Sequence, residues 1–346
     1  MADPGGRLPA GKLPHEVLQR LLTRHTGGAD PRVLVGPGVG EDAAVIDFGD
    51  SCLVAKTDPI TFATDRIGWY AVHVNANDIA AMGATPRWFL ASVIVPEALA
   101  TEALFADILG QIHDACSSLG VTVAGGHTEI SHGMDRPLVV GQMLGEVARD
   151  GIIRSSGLQP GDDLLLTKGL AIEATAIIAR EKTENLRQRG WSQPDIERCA
   201  GYLTDPGISV VTEARLALGV GDVDAMHDPT EGGVATGLLE MATASDVGLE
   251  IFAEALPASP ETLRLCAAFD LDPFGVISSG ALLIGCAPAS TPAITGALGD
   301  AGIACARIGQ AQPSAFGLRL RGADGETTDL PRFAVDEIVR LFAGDQ

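Results

Sequence analysis

The sequence predicts a two-domain α/β (α+β) protein. Its 346 residues suit two units at roughly 100–200 residues each. Strand-like and helix-like stretches alternate along the chain, which argues for layers of both instead of a bundle or a sandwich. A strong turn signal, Leu158-Gln159-Pro160-Gly161-Asp162, precedes a fresh apolar run, so the boundary is placed near residue 150, giving units 1–150 and 151–346.

Pro14 to Arg24 opens the first unit as an amphipathic helix, with Val17, Leu18, Leu21 and Leu22 at helical spacing. Leu53 to Lys56 reads as a buried strand, Asp65 to Met82 as a helix, Phe89 to Val95 as a strand and Glu97 to Leu119 as a long helix. Val121 to Ala124 is a short strand that stops at Gly125-Gly126, and Leu138 to Val147 is another. In the second unit Leu164 to Leu166 is a strand. Helices are expected at Ile172 to Lys182, Ile208 to Leu218, Val234 to Ala244, Glu261 to Phe269 and Pro292 to Ala301. Further strands are expected at Val223 to Met226, Leu249 to Phe252, Ala281 to Cys286 and Ala304 to Ile308.

Composition narrows the function. Lys and Arg total 24 against 45 Asp and Glu, and a net charge of −21 repels a phosphate backbone, so nucleic acid is not an expected partner. An anionic ligand then needs a divalent cation or a local cluster of donors. Six cysteines lie too far apart for a C-x-x-C pair or a zinc ribbon and read as reduced thiols. No stretch reaches the roughly 18–20 apolar residues of a membrane helix, and the first thirty residues lack the apolar core of a signal peptide. A cytoplasmic protein with no membrane partner is expected.

Five motifs carry candidate chemistry. Gly36-Pro37-Gly38-Val39-Gly40-Glu41-Asp42 combines glycines that let backbone approach a ligand with two carboxylates suited to a hard cation; a turn with solvated acids is the alternative. Lys56-Thr57-Asp58-Pro59 ends an apolar strand, where an Asp either meets the Asp42 group or simply turns the chain. In Val74-Asn75-Ala76-Asn77-Asp78 a helix places Asn75, Asp78 and Met82 on one face, with Asn77 pointing away; a buried polar network and metal or phosphate binding both explain it. Ala124-Gly125-Gly126-His127-Thr128-Glu129 puts two glycines beside titratable groups. In His227-Asp228-Pro229-Thr230-Glu231-Gly232-Gly233, Asp228 as N-cap, Pro229 at N1 and Glu231 at N3 make a near capping box. The two glycines in the first turns are costly unless a ligand approaches the helix start.

In this order the five motifs resemble the aminoimidazole ribonucleotide (AIR) synthase superfamily, which includes thiamine-monophosphate kinase, selenophosphate synthetase and the hydrogenase expression/formation protein of the HypE type. The likeness runs from Gly11-Lys12-Leu13-Pro14 to Ser279-Gly280-Ala281-Leu282-Leu283, and His227-Asp228-Pro229-Thr230 with Gly232-Gly233 looks most like the hydrogenase-maturation branch. His127 departs from that branch, which usually places Asp after Gly-Gly. The HypE type ends in a tail with a terminal Cys, whereas this chain ends Phe342-Ala343-Gly344-Asp345-Gln346 and its last Cys is Cys305. Carbamoyl transfer by a tail thiol is therefore not expected.

The resemblance implies a PurM-like, two-domain AIR synthase-like fold, with an N-terminal ATP-binding and dimerisation domain and a C-terminal AIR synthase-like domain. It implies ATP and Mg²⁺ as cofactors and a homodimer acting on a small-molecule substrate or with a maturation partner protein. The expected activity is ATP-dependent phosphorylation or activation of a small-molecule, amide or carbonyl oxygen. The alternatives are an accessory nucleotide-binding protein for metalloenzyme maturation with little turnover, or a small-molecule kinase of the thiamine-monophosphate kinase type. On this reading Asp42, Asp58, Asp78 and Asp228 hold metal, and Asp78, His127 and Asp228 are catalytic. Gly38, Gly40, Lys56, Thr57, Asn75, Asn77, Gly125, Gly126, Thr128, Thr230, Gly232 and Gly233 bind the nucleotide.

Overall fold

In the computed structural model, residues 8, 11–26, 30–38 and 40–342 are described. Val39 of the first motif and residues 343–346 of the quoted tail lie outside them. The first unit runs α1 (His15–His25), β1 (Val33–Val35), β2 (Ala44–Asp47), β3 (Ser51–Ile60), α2 (Ile67–Ala81), β4 (Thr85–Pro96), α3 (Glu102–Leu119), β5 (Thr122–Ser131) and β6 (Leu138–Ala148). Its sheet has the order β1-β2-β3-β6-β4-β5, antiparallel except for the β4–β5 pair. Side chains alternate along β6: Val139, Met143 and Val147 are buried, while Gln142 and Glu146 are exposed.

The second unit runs β7 (Asp163–Thr167), α4 (Ile172–Glu181), α5 (Thr183–Gln188), α6 (Gln193–Ala200), α7 (Val211–Val220), β8 (Val223–His227), α8 (Gly233–Ser245) and β9 (Val247–Phe252). It continues with α9 (Pro260–Ala268), β10 (Leu283–Cys286), α10 (Thr291–Asp300), β11 (Cys305–Pro313), β12 (Leu318–Arg321), β13 (Thr327–Asp329) and α11 (Val339–Phe342). Its sheet has the order β13-β12-β9-β11-β7-β10-β8. Central β7 is buried along its whole length, as its unbroken Leu164-Leu165-Leu166 run requires.

Helix α2 joins the two units. Every one of its residues except Trp69 is buried, so it lacks the polar face of a surface helix. Its Ala71, Asn75 and Ile79 lie against Gly141 and Gly145 of β6, where a Cβ would come within 2.3 Å of Asn75 Nδ2 and of Ile79 Cγ2. Its last residues, Ala80 and Ala81, pack with Val210, Ala214, Met226 and Ile284 of the second unit. Asn77, which points away from the first sheet, makes the polar link: Nδ2 donates to Ile208 O at 2.8 Å, and Oδ1 accepts from Val210 N at 2.9 Å.

Several elements differ from the sequence expectation. Strand β3 continues through Asp58-Pro59 to Ile60, so there is no turn at that point. Helix α3 starts at Glu102 because the Thr101 hydroxyl accepts from Leu104 N at 3.2 Å, and 97–100 stay outside it. Residues 208–210 are held non-helical by Asn77, and α7 begins at Val211. Gly125-Gly126 does not end a strand: β5 runs straight through it, with a register shift opposite Phe89 and Leu90. Gly126 is needed there for its φ of +153°, and a Cβ would meet Ala91 O at 2.2 Å. Strands β1, β12 and β13 and helices α5, α6 and α11 were not foreseen. Among the described residues no helix is long and apolar enough to cross a membrane, and all six cysteines are free.

Candidate active site

Three carboxylates meet where the units join. Asp42 precedes β2, Asp78 lies on α2 and Asp228 follows β8, yet each offers an oxygen within 4.8 Å of the others, and all three are buried. At that spacing two unit charges repel by about 3–4 kcal/mol at an effective dielectric near 20, so the group needs positive charge.

Part of that charge comes from the chain. Lys56 Nζ on β3 donates to Asp78 Oδ1 at 2.8 Å and lies 3.7 Å from Asp58 Oδ2. His227 Nδ1 stands 2.7 Å from Asp42 Oδ1, and its Nε2 is 2.9 Å from Glu240 Oε2 on α8. Burial would lower the His227 pKa, but Asp42 and Glu240 outweigh it and hold the imidazole well above its usual value, as a cation. The Ser155 hydroxyl donates to Asp42 Oδ2 at 3.1 Å and fixes that carboxylate across the unit boundary.

The compensation is incomplete. Both oxygens of Asp228, and Oδ2 of Asp78, have no hydrogen-bond partner. Burial, with Asp58 and Asp42 adding to it, pushes Asp78 up to about 7 against the pull of Lys56. Burial and the neighbouring Asp78 and Asp42 likewise hold Asp228 well above the usual carboxylate range. Three buried carboxylates, two of them with oxygens left unpaired, are the donor set of a hard divalent cation, so these residues fit magnesium. A cavity of about 240 Å³ opens beside them, lined also by Gly38, Gly40, Glu41 and Thr230. Lys12 lies across its rim: Nζ donates to Thr230 Oγ1 at 3.0 Å, and its backbone N–H donates to Glu231 Oε2 at 2.8 Å.

Comparison with known proteins places this architecture. The AIR synthase related protein N-terminal domain model matches residues 40–147, and the C-terminal domain model matches residues 159–320. The chain belongs to the AIR synthase-related family. It is 30% identical over 290 residues to a putative hydrogenase expression/formation protein of Methanocaldococcus jannaschii, covering 82% of this chain and 81% of that one. It is also 30% identical over 271 residues to the carbamoyl dehydratase HypE of Rhizobium leguminosarum bv. viciae, covering 75% and 73%. The crystal structure of the hydrogenase maturation protein HypE in complex with ATP superposes with a TM-score of 0.69 over 91% of this chain and 94% of that one, at 23% identity.

Within this AIR synthase-related frame the expected site residues separate into three groups. Asp42, Asp78, Asp228, Lys56, Gly38, Gly40 and Thr230 line one cavity. Asp58 borders the same cavity but stands outside the three-carboxylate group, tied to it through Lys56, with a third of its side chain exposed (34%). Thr57 faces the opposite side of the sheet and donates to Gly141 O at 2.9 Å, while Asn75 donates to Ala71 O at 2.8 Å and to Asp58 O at 3.3 Å.

The second group is the Gly232-Gly233 turn. Gly232 and Gly233 are both left-handed, at φ +81° and +66°, and α8 starts at Gly233 with Gly232 in the N-cap position, so Asp228 caps nothing. The glycines are explained by the chain itself: a Cβ on Gly233 would lie 2.5 Å from Phe274 O, and Gly232 N donates to Asp336 Oδ2 at 2.6 Å.

The third group is remote within one chain. Asp58, Gly141, Ala91 and Gly126 are in register across β3, β6, β4 and β5, three strand spacings of ~4.8 Å or about 14 Å in all. Gly125, Gly126, His127 and Thr128 therefore sit on the outer edge strand, and the His127 side chain, 68% exposed, lies 3.4 Å from Glu129.

Sequence reasoning missed Lys12, Ser155, His227 and Glu240. His227 stood inside a quoted motif and Lys12 inside the first residues of the resemblance. Ser155 and Glu240 carry no local signature, because what defines them is a contact with a distant residue.

Proposed function

We propose that the chain is an ATP- and magnesium-dependent enzyme that phosphorylates, and so activates, an oxygen of a small-molecule or amide substrate. One observation carries the reading: three buried carboxylates, with oxygens left unpaired, converge beside a cavity at the junction of the two units. Family membership supports it, as does the HypE relative solved with ATP. Asp42, Asp78 and Asp228 would hold the cation, which supplies charge neutralisation to the transferring phosphoryl group. Lys56 keeps Asp78 in place, Ser155 and His227 keep Asp42 in place, and the backbone at Gly38 and Gly40 admits phosphate at close range. In the transfer, the bond from the γ-phosphorus to the ADP oxygen breaks as the bond to the acceptor oxygen forms.

The test is Mg²⁺-dependent ADP release with a substrate panel, together with calorimetric binding of Mg-ATP. Asp78→Asn and Asp228→Asn are expected to lower turnover at least a hundredfold and weaken Mg-ATP, with the fold intact by circular dichroism. Mg-ATP binding unaltered in both variants would sink the reading.

A homodimer through the first unit belongs to the same proposal. All of β5 but Ser131 is exposed, and an exposed edge of ten residues invites pairing. Val123 and Ile130 on β5, and Trp88 on the neighbouring β4, are large apolar side chains in the open. A second copy of this chain is the occupant we assign, and it would present Gly125, Gly126, His127 and Thr128 near its partner's cavity.

A further inference from the structure

A second cavity, of about 90 Å³, adjoins the acidic one and shares Lys12, Asp58 and Thr230 with it. Its walls come from both units: Ile60 and Phe62 from one, and Ile177 and Ile277 from the other, with Glu173 and Ser279 in the lining. Neither polar residue takes part in the metal group, and both are almost wholly buried, Glu173 at 3% and Ser279 at 1% exposure. Ser279 Oγ has no hydrogen-bond partner. Glu173 Oε2, on the first turn of a helix whose own start offers no side-chain cap, accepts the Ser279 backbone N–H at 3.2 Å, and the Ser279 side chain also acts to lower its pKa. A carboxylate buried this deeply, with no cation paired to it, is costly unless a ligand completes it.

We propose that this cavity anchors the acceptor substrate by a protonated nitrogen on a short apolar stem, with Glu173 as counter-ion and Ser279 Oγ as a further acceptor. This rests on the function proposed above. The charge around the chamber has the right sign: Asp58 and Glu231 also line it, while its one cation, Lys12, is engaged with Thr230 and lies 3.9 Å from Glu240. Burial raises Glu173 to about 7, so a cationic ligand is the partner that would restore its charge. By comparison with a ~150 Å³ cavity that holds benzene, the chamber holds about four heavy atoms. The rest of the ligand leaves past Asp58 and Thr230, which brings an oxygen on it toward Asp42, Asp78 and Asp228.

The experiment uses propylamine hydrochloride as probe and propan-1-ol as its uncharged counterpart, read by calorimetry and by the shift in Tm on the full chain. The amine should bind saturably and at least tenfold more tightly than the alcohol, since a buried charge-assisted hydrogen bond is at stake. Glu173→Gln should lose that preference, and Ser279→Ala should weaken the amine severalfold. If Glu173→Gln fails to fold, Glu173→Asp, which keeps the charge but withdraws it by one methylene, should still weaken the amine. Equal binding of amine and alcohol, or an unchanged preference in the Glu173 variants, overturns the assignment. Mg-ATP titrated into the same samples separates the two ideas: nucleotide binding without amine binding defeats the anchor alone, and amine binding without nucleotide binding defeats the proposed function alone.

Discussion

At the scale of single residues, the molecule places its charged groups where burial makes them expensive and then uses neighbours to tune them. Glu173 gives a clean consequence for pH. Its folded pKa of about 7 lies above the ordinary 4.5, so the folded state binds the proton more tightly than the unfolded chain does. The stability this confers is complete below about pH 4.5 and is lost as pH rises to about 7, a swing of about 3 kcal/mol. Denaturant melts of wild type and Glu173→Gln from pH 4.5 to 8 should therefore converge or cross in the variant's favour as pH rises; parallel curves would refute the shift. Asn77 acts through its geometry instead. Asn77→Ala leaves Ile208 O and Val210 N buried without partners, and the cost should be about 2–4 kcal/mol in urea unfolding.

At the scale of elements, what the sequence could disclose follows from the range of the forces involved. Helix α2 and strand β7 were legible because their burial is written as local apolar density. Strands β12 and β13 were not, because Leu318–Arg321 and Thr327–Asp329 are short and largely polar, and only pairing with β9 and with each other makes them strands. Gly125-Gly126 was read as a stop when it serves a bulge inside β5, since a glycine that breaks a strand and one that permits close packing look alike in sequence. Asp228-Pro229-Thr230-Glu231 obeyed the grammar of a helix cap, yet the tertiary fold turns the carboxylate toward Asp42 and Asp78. Two left-handed glycines at helix ends, Gly233 at the start of α8 and Gly120 at the end of α3, differ in a way that can be measured. Gly233→Ala must overcome both its positive φ and contacts of 2.5 Å to Phe274 O and 2.7 Å to Val276 O, whereas Gly120, at φ +67° behind α3, has nothing within 4 Å. Gly120→Ala should cost only the ~1–2 kcal/mol of left-handed strain, and Gly233→Ala clearly more, by thermal melts of the two variants.

At the scale of the whole molecule, the proposed dimer rests on the exposed edge strand β5. Light scattering at micromolar concentration should give a mass near twice 35.7 kDa. Val123→Lys with Ile130→Lys, on exposed positions of β5, should shift that species to the monomer while leaving circular dichroism unchanged. A monomeric wild type would remove the dimer from the proposal.

The three carboxylates come from an approach to β2, from α2 and from the end of β8, so no one sheet owns the site. Any transient separation of the units scatters its ligands, and any ion held there must work against separation. Occupancy should then be readable outside the carboxylate group, as slowed deuterium uptake at the amide of Val210, whose hydrogen bond to Asn77 crosses between the units. A cation in the cleft would act as a latch, and the exchange rate at one buried peptide group would report how firmly it is shut.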